Sequence, residues 1–104
     1  MRSIAIPEDL ELKLGEEKKR FTFKKVITDV LDMSSVFGTR VAAKSAARIE
    51  RLVEKAEDNG TACLEDADYE LLKQALTSFS FNPAVARAME KAGWFALVEE
   101  AKAL

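Results

Sequence analysis

From Thr39 to Asp58 the chain runs without glycine or proline and carries a helical period that divides its surface into three lengthwise sectors. At ~100° per residue, Val41, Ala42, Ala46, Ile49, Leu52, Val53 and Ala56 fall on one broad apolar face. Arg40, Lys44, Arg48, Arg51 and Lys55 fall within about 80° of one another on a second face, and Glu50, Glu54 and Glu57 gather on a third. A helix of this kind buries its apolar sector against the rest of the fold and turns its charged sectors outward. Gly38 breaks the chain before it, and the Thr39 hydroxyl is suited to accept from a free amide of the first turn. Asn59-Gly60 is the expected end, because both residues tolerate the left-handed conformation common beyond helix C-termini.

The N-terminal stretch is the only one with a period of two. Leu10, Leu12 and Leu14 alternate with Glu11 and Lys13, Gly15 through Lys19 read as a polar turn, and Phe21 and Phe23 alternate with Arg20, Thr22 and Lys24. That pattern predicts a β-hairpin with one apolar face, extended by a short strand at Ser3 to Ile6. Two strands alone are marginal in water, so Leu12, Leu14, Phe21 and Phe23 are expected to pack on the first two helices.

From Phe23 the period becomes helical, with Phe23, Val26, Ile27, Val30 and Leu31 on one stripe and Met33-Ser34-Ser35 at its end. Ala62-Cys63-Leu64 reads as a short extended link. Asp66 is then placed to cap a helix carrying Leu71, Leu72, Ala75, Leu76 and Phe79 inward, and Asn82-Pro83 starts another that presents Val85, Ala86, Met89 and Ala92. Gly93 interrupts, and Trp94, Leu97, Val98 and Ala101 form a last amphipathic stretch. The expected fold is α+β and mostly α, an N-terminal β-hairpin packed on a bundle of about five helices. A length of 104 residues fits a single domain, 1–104, with residues 1–24 as the hairpin region and 25–104 as the helical region.

Sixteen basic and eighteen acidic side chains leave a net charge of −2, so any attraction to nucleic acid or an anionic membrane has to be local. No apolar run approaches the ~20 residues needed to cross a bilayer, and the opening MRSIAIPEDL lacks a signal-peptide core. With one cysteine and no internal disulfide, a soluble cytoplasmic protein is expected.

The chain contains no histidine, which removes the commonest general base and most zinc sites. No catalytic residue, metal ligand or cofactor site is assigned, and the chain is read as a non-enzyme. Cys63, between Ala62 and Leu64, reads as a small buried packing residue. Glu65, Asp66, Asp68 and Glu70 lack the glycine and terminal glutamate of a calcium loop, and a helix dipole is sufficient reason for acids in a first turn. Phe79, Phe81, Trp94 and Phe95 read as closing a small core, with an exposed anchor for a partner as the alternative. The sharpest candidate is the basic sector, Arg40, Lys44, Arg48, Arg51 and Lys55. Its like-charge pairs at i,i+4 forgo local stability, as a surface facing an acidic partner would, although a solvated face gives the same pattern.

The order of signals from Phe21 onward resembles that of small bacteriophage and prophage accessory proteins. The residues that carry the likeness are Phe23-Lys24-Lys25-Val26-Ile27, Ala47-Arg48-Ile49, and Leu64-Glu65-Asp66-Ala67-Asp68-Tyr69-Glu70-Leu71-Leu72-Lys73 followed by Phe79-Ser80-Phe81. The resemblance implies an accessory or assembly role through protein contacts and brings no enzymatic motif. The expected function is a protein-interaction domain that binds a protein partner or itself. The alternative is a nucleic-acid-associated regulator using the same basic sector, aided by Lys18, Lys19 and Arg20. No membrane partner and no small-molecule substrate are expected.

Overall fold

Two small antiparallel sheets and five helices form an α+β, mostly α fold in the computed structural model, which describes residues 1–57 and 59–103, the side chain of Leu14 excepted. Strands β1 (Arg2–Ala5), β2 (Leu10–Leu14) and β3 (Glu17–Phe21) come first. Helix α1 (Phe23–Met33), a 3-10 turn (Ser35–Phe37) and helix α2 (Arg40–Lys55) follow. Then come β4 (Thr61–Leu64), α3 (Asp66–Ser78), α4 (Pro83–Lys91), α5 (Trp94–Glu99) and β5 (Lys102–Ala103).

The hairpin is β2 with β3, in the register Leu10 with Phe21, Leu12 with Lys19 and Leu14 with Glu17. Its turn is tighter than the sequence pattern predicts. Gly15 and Glu16 alone reverse the chain, Gly15 at φ 66°, and Glu17 to Lys19 belong to the strand. Packing also differs from expectation. Leu10 and Phe21 lie half-buried against the core, and the helix that β2 packs on most closely is α4, not one of the first two. α1 and α2 pack on each other and on α3, and α2 also on β4, which leaves α4 to cover the hairpin. Of the four residues expected to anchor it, Leu12 is half-buried opposite the exposed Lys19, Leu14's side chain lies outside the described residues, and Phe23 opens α1.

The short N-terminal strand does not extend the hairpin. β1 is the centre of a separate sheet, ordered β4-β1-β5, with Ser3 opposite Cys63 on one side and Lys102 on the other. Ala62-Cys63-Leu64 is therefore a strand and not a link, and the C-terminus supplies a further strand that no periodicity announces.

Side chains cap three of the five α-helices. Thr22, Thr39 and Asn82 accept from Lys25, Ala42 and Ala84 amides at 3.1, 3.1 and 2.9 Å. At α3 the cap position belongs to Glu65, which makes no side-chain capping bond, and Asp66 is the first helical residue. α2 ends at Lys55, earlier than the expected Asp58, which lies outside the described residues. The stop has a visible cause: Ala56 is extended, and the Lys24 ammonium donates to the Ala56 and Glu54 carbonyls, satisfying acceptors that the helix leaves free. Asn59 does adopt a left-handed conformation, φ 63°, within the turn leading to β4.

One core joins all layers: Ile4 and Leu64 from the sheet, Ile27 and Val30 from α1, Ile49 and Val53 from α2, Leu72 and Ala75 from α3, Met89, Trp94 and Val98. Phe23 is 3% exposed and meets Trp94 edge-on with ring centroids 5.6 Å apart. Phe79, Phe81 and Phe95 form a second, half-buried aromatic chain at its margin. Tyr69, 2% exposed, donates its hydroxyl to the Val98 carbonyl at 2.6 Å, and the Arg2 guanidinium lies 5.2 Å over its ring while bonding the Ala101 carbonyl. These contacts hold the two ends of the chain on α3. Phe23→Ala should cost ~3–5 kcal/mol, the usual range for emptying a buried aromatic site, as read by urea denaturation. A loss under ~1 kcal/mol would show that Trp94 and the sheet do not depend on that ring.

Candidate functional site

α2 packs its narrow inner face, Ala42, Ser45, Ile49, Val53 and Ala56, on α1, α3 and β4. The face is narrower than the apolar pattern predicts. Val41 is 77% and Leu52 37% exposed, Ala46 is half-buried, and Ser45 takes a buried place instead. Val41 and Leu52 are thereby left on the outer side of the helix, among the cations, because the layer that covers α2 spans fewer residues around its circumference than its apolar sector does.

The five basic residues separate into two kinds. Arg48 forks onto Asp68 of α3, Nε to Oδ2 and Nη2 to Oδ1, both at 2.9 Å, and Nη2 also reaches the Ser45 hydroxyl at 3.0 Å. Asp68 is 2% exposed, whereas half of the Arg48 side chain remains open to water. A carboxylate so placed demands a fixed, planar donor, and the guanidinium supplies two parallel bonds. Arg48 is therefore a structural clamp between α2 and α3. Arg40, Lys44, Arg51 and Lys55 are exposed and form no ion pair among the described residues. The expected sector is present, but its central residue is committed.

The clamp was hidden in the sequence within an acidic run that the helix dipole explains. Asp66 fits that account, exposed in the first turn of α3 and 3.0 Å from the N-terminal ammonium. Asp68 does not, and only its spacing gave a sign: it shares a helical face with Leu72 and Ala75.

Beside the clamp lies a notch of about 280 Å³ lined by Met1, Arg48, Arg51, Leu52, Cys63, Glu65 and Asp68. Cys63 is half-buried at its wall rather than enclosed in the core; the buried residues of its strand are Ala62 and Leu64, which point to the other face. Among the described residues no group of three or more acidic, cysteine or histidine side chains is arranged to hold a metal ion, and no helix is long and apolar enough to cross a membrane. On the hairpin, Lys13 and Lys18 face each other across the strands, while Arg20 pairs with Asp9 at 2.9 Å. No family model, curated protein or solved structure matches the chain.

Hydrogen bonds from Arg48 hold the Asp68 carboxyl below the usual carboxylate range; burial opposes them and Ser45 assists. A depressed carboxylate contributes stability that is complete above its unfolded value, about 4, and is lost as pH falls through the lower native value. Asp68→Asn should therefore lower the melting temperature at neutral pH, with the gap to wild type closing as pH drops below about 4. An unchanged gap down to the acid limit would remove the charge from the clamp's contribution.

Proposed function

We propose that this chain is a non-enzymatic, cytoplasmic protein-interaction domain, a phage or prophage accessory or assembly protein, that presents the outer face of α2 to an acidic partner. The observation that carries the reading is the company the cations keep. Two large apolar side chains, Val41 and Leu52, stand exposed on the same side of the helix as four cations without counter-ions among the described residues. Val41 stands in the first turn of the stripe and Leu52 in its last, between Arg51 and Lys55, where each adds apolar area beside the cations. Mixed apolar and cationic surfaces of this kind supply contact area together with electrostatic steering. The phage assignment is supported by the sequence resemblance, and the absence of histidine favours a binding role.

A second reading, a nucleic-acid-associated regulator, uses the same basic sector of α2, aided by Lys18 and Lys19 on the exposed strand β3, where Arg20 is paired with Asp9. Both readings answer to charge reversal on α2, and the partner separates them.

Lys44→Glu with Arg51→Glu and Lys55→Glu, leaving Arg48 in place, should preserve the fold by circular dichroism and slow association with a captured partner more than it speeds dissociation. Reversal at Arg48 belongs to a different experiment, because it would set a carboxylate against buried Asp68. Duplex DNA should bind no better than the weak range of ~10⁻⁴–10⁻⁶ M near physiological salt. Nanomolar, steeply salt-dependent DNA binding lost in the triple variant would replace the protein-interaction reading with the regulator.

A further inference from the structure

β4 is the outer strand of its sheet, and its free edge carries unmade backbone bonds. The Ile6 amide bonds the Gly60 carbonyl at 2.9 Å, and the register continues as Ile4 with Ala62 and Arg2 with Leu64. In an antiparallel ladder such pairs alternate, so Gly60, Ala62 and Leu64 turn their polar backbone groups toward β1. Thr61 and Cys63 turn theirs outward, where neither finds a hydrogen-bond partner among the described residues. A strand edge of this kind is a template for another strand.

β4 leaves the turn after α2 and packs along that helix. Arg51 and Leu52 thus share the notch with Cys63, and Lys55 stands four residues, about 6 Å, beyond Arg51 along α2 toward the Thr61 end. The edge offers backbone bonds, the notch an apolar seat, and the helix two free cations. Glu65 at the other end of the notch repels an acid there, so the acidic groups of a bound segment belong at the Arg51 and Lys55 end.

From this juxtaposition we infer that β4 accepts an extended, acidic segment of another protein by strand addition, its apolar side chain seated against Leu52 and Cys63 and its carboxylates on Arg51 and Lys55. The inference rests on the protein-interaction reading and specifies the partner's chemistry. A second copy is a poor occupant. Twofold pairing of β4 with itself would set Thr61 against the partner's Cys63 and bring the two α2 helices side by side, cation against cation, a repulsive arrangement. An acidic strand meets the same cations with opposite charge, and main-chain bonds with alternate side-chain pockets are the known economy of strand addition.

The test uses a short capped peptide with glutamate, glutamate and valine at every second position and threonine between, so that carboxylates and apolar side chain share one face, a counterpart with lysine for glutamate, and the full chain labelled with ¹⁵N. The glutamate peptide should bind, protect the Thr61 and Cys63 amides from hydrogen exchange and slow thiol labelling of Cys63, while the lysine peptide does none of these. Thr61→Pro removes an outward donor without touching the β1 ladder; it and the pair Arg51→Glu with Lys55→Glu should each weaken binding by about tenfold or more. Absence of binding at millimolar peptide, binding without protection at Thr61 and Cys63, or a dimer of this chain abolished by Thr61→Pro would overturn the inference. If a natural partner is still captured through the α2 cations in any of those cases, the interaction reading stands and strand addition alone falls. If reversal of the α2 cations leaves natural capture unchanged, the broader reading falls as well.

Discussion

An ionised carboxylate that is 2% exposed is the least forgiving element of this fold, and the Arg48 fork is what makes it tolerable. Taking a carboxylate out of water is costly unless paired charge and hydrogen bonds replace the lost hydration. Arg48 and Asp68 do so with two bonds of equal length, which, together with the burial of Ile49 and Val53, fixes the rotation of α2 about its own axis relative to α3. That rotation decides which residues of α2 face outward. With Arg48 tied to α3, Ser45 and Ile49 turn in, and Lys44, Arg51 and Lys55 turn out. Lysine at position 48 would lack the planar fork and hold the orientation less well.

The same geometry sets the position of β4. The strand lies between α2 and the start of α3, so a clamp joining those helices also frames the edge from Thr61 to Leu64. On the opposite side, Arg2 and Tyr69 fasten β1 and the chain's C-terminal segment to α3 through the Ala101 and Val98 carbonyls. Long-range polar contacts thus hold the C-terminal segment beside β1, while apolar burial holds the inner face of the sheet on the helices. The free edge of β4 is a feature of a rigidly supported strand, which is what recognition by backbone hydrogen bonding requires.

Most of the helical architecture was legible because the helices announce themselves locally. The stripe from Phe23 to Leu31, the Thr39 cap, the Asn82-Pro83 start and the Gly93 break all reappear where side-chain chemistry puts them. The strands were harder. β1, β4 and β5 span only two to four residues each, too short for a period to register, and their pairing joins residues separated by most of the chain. Pattern also cannot tell how wide a sector of a helix its neighbours will cover. Val41 and Leu52 have the right phase for burial, but the layer against α2 stops short of them. At the candidate site, the basic sector could be seen as a set of five, whereas the assignment of Arg48 to Asp68 depends on the packing of two helices separated by a strand. A local dipole explanation was sufficient for Asp68, and sufficiency concealed its burial.

Arg48 serves the fold, whereas its basic neighbours on α2 form no ion pair among the described residues. A double-mutant cycle with Arg48→Gln and Asp68→Asn, followed by urea denaturation near neutral pH, tests that role most directly. Strong coupling is predicted, the double variant losing much less stability than the two single losses added together, because either change alone breaks the bidentate pair. Additive losses would contradict the clamp, return Arg48 to the exposed basic sector, and leave the orientation of α2 without its stated cause.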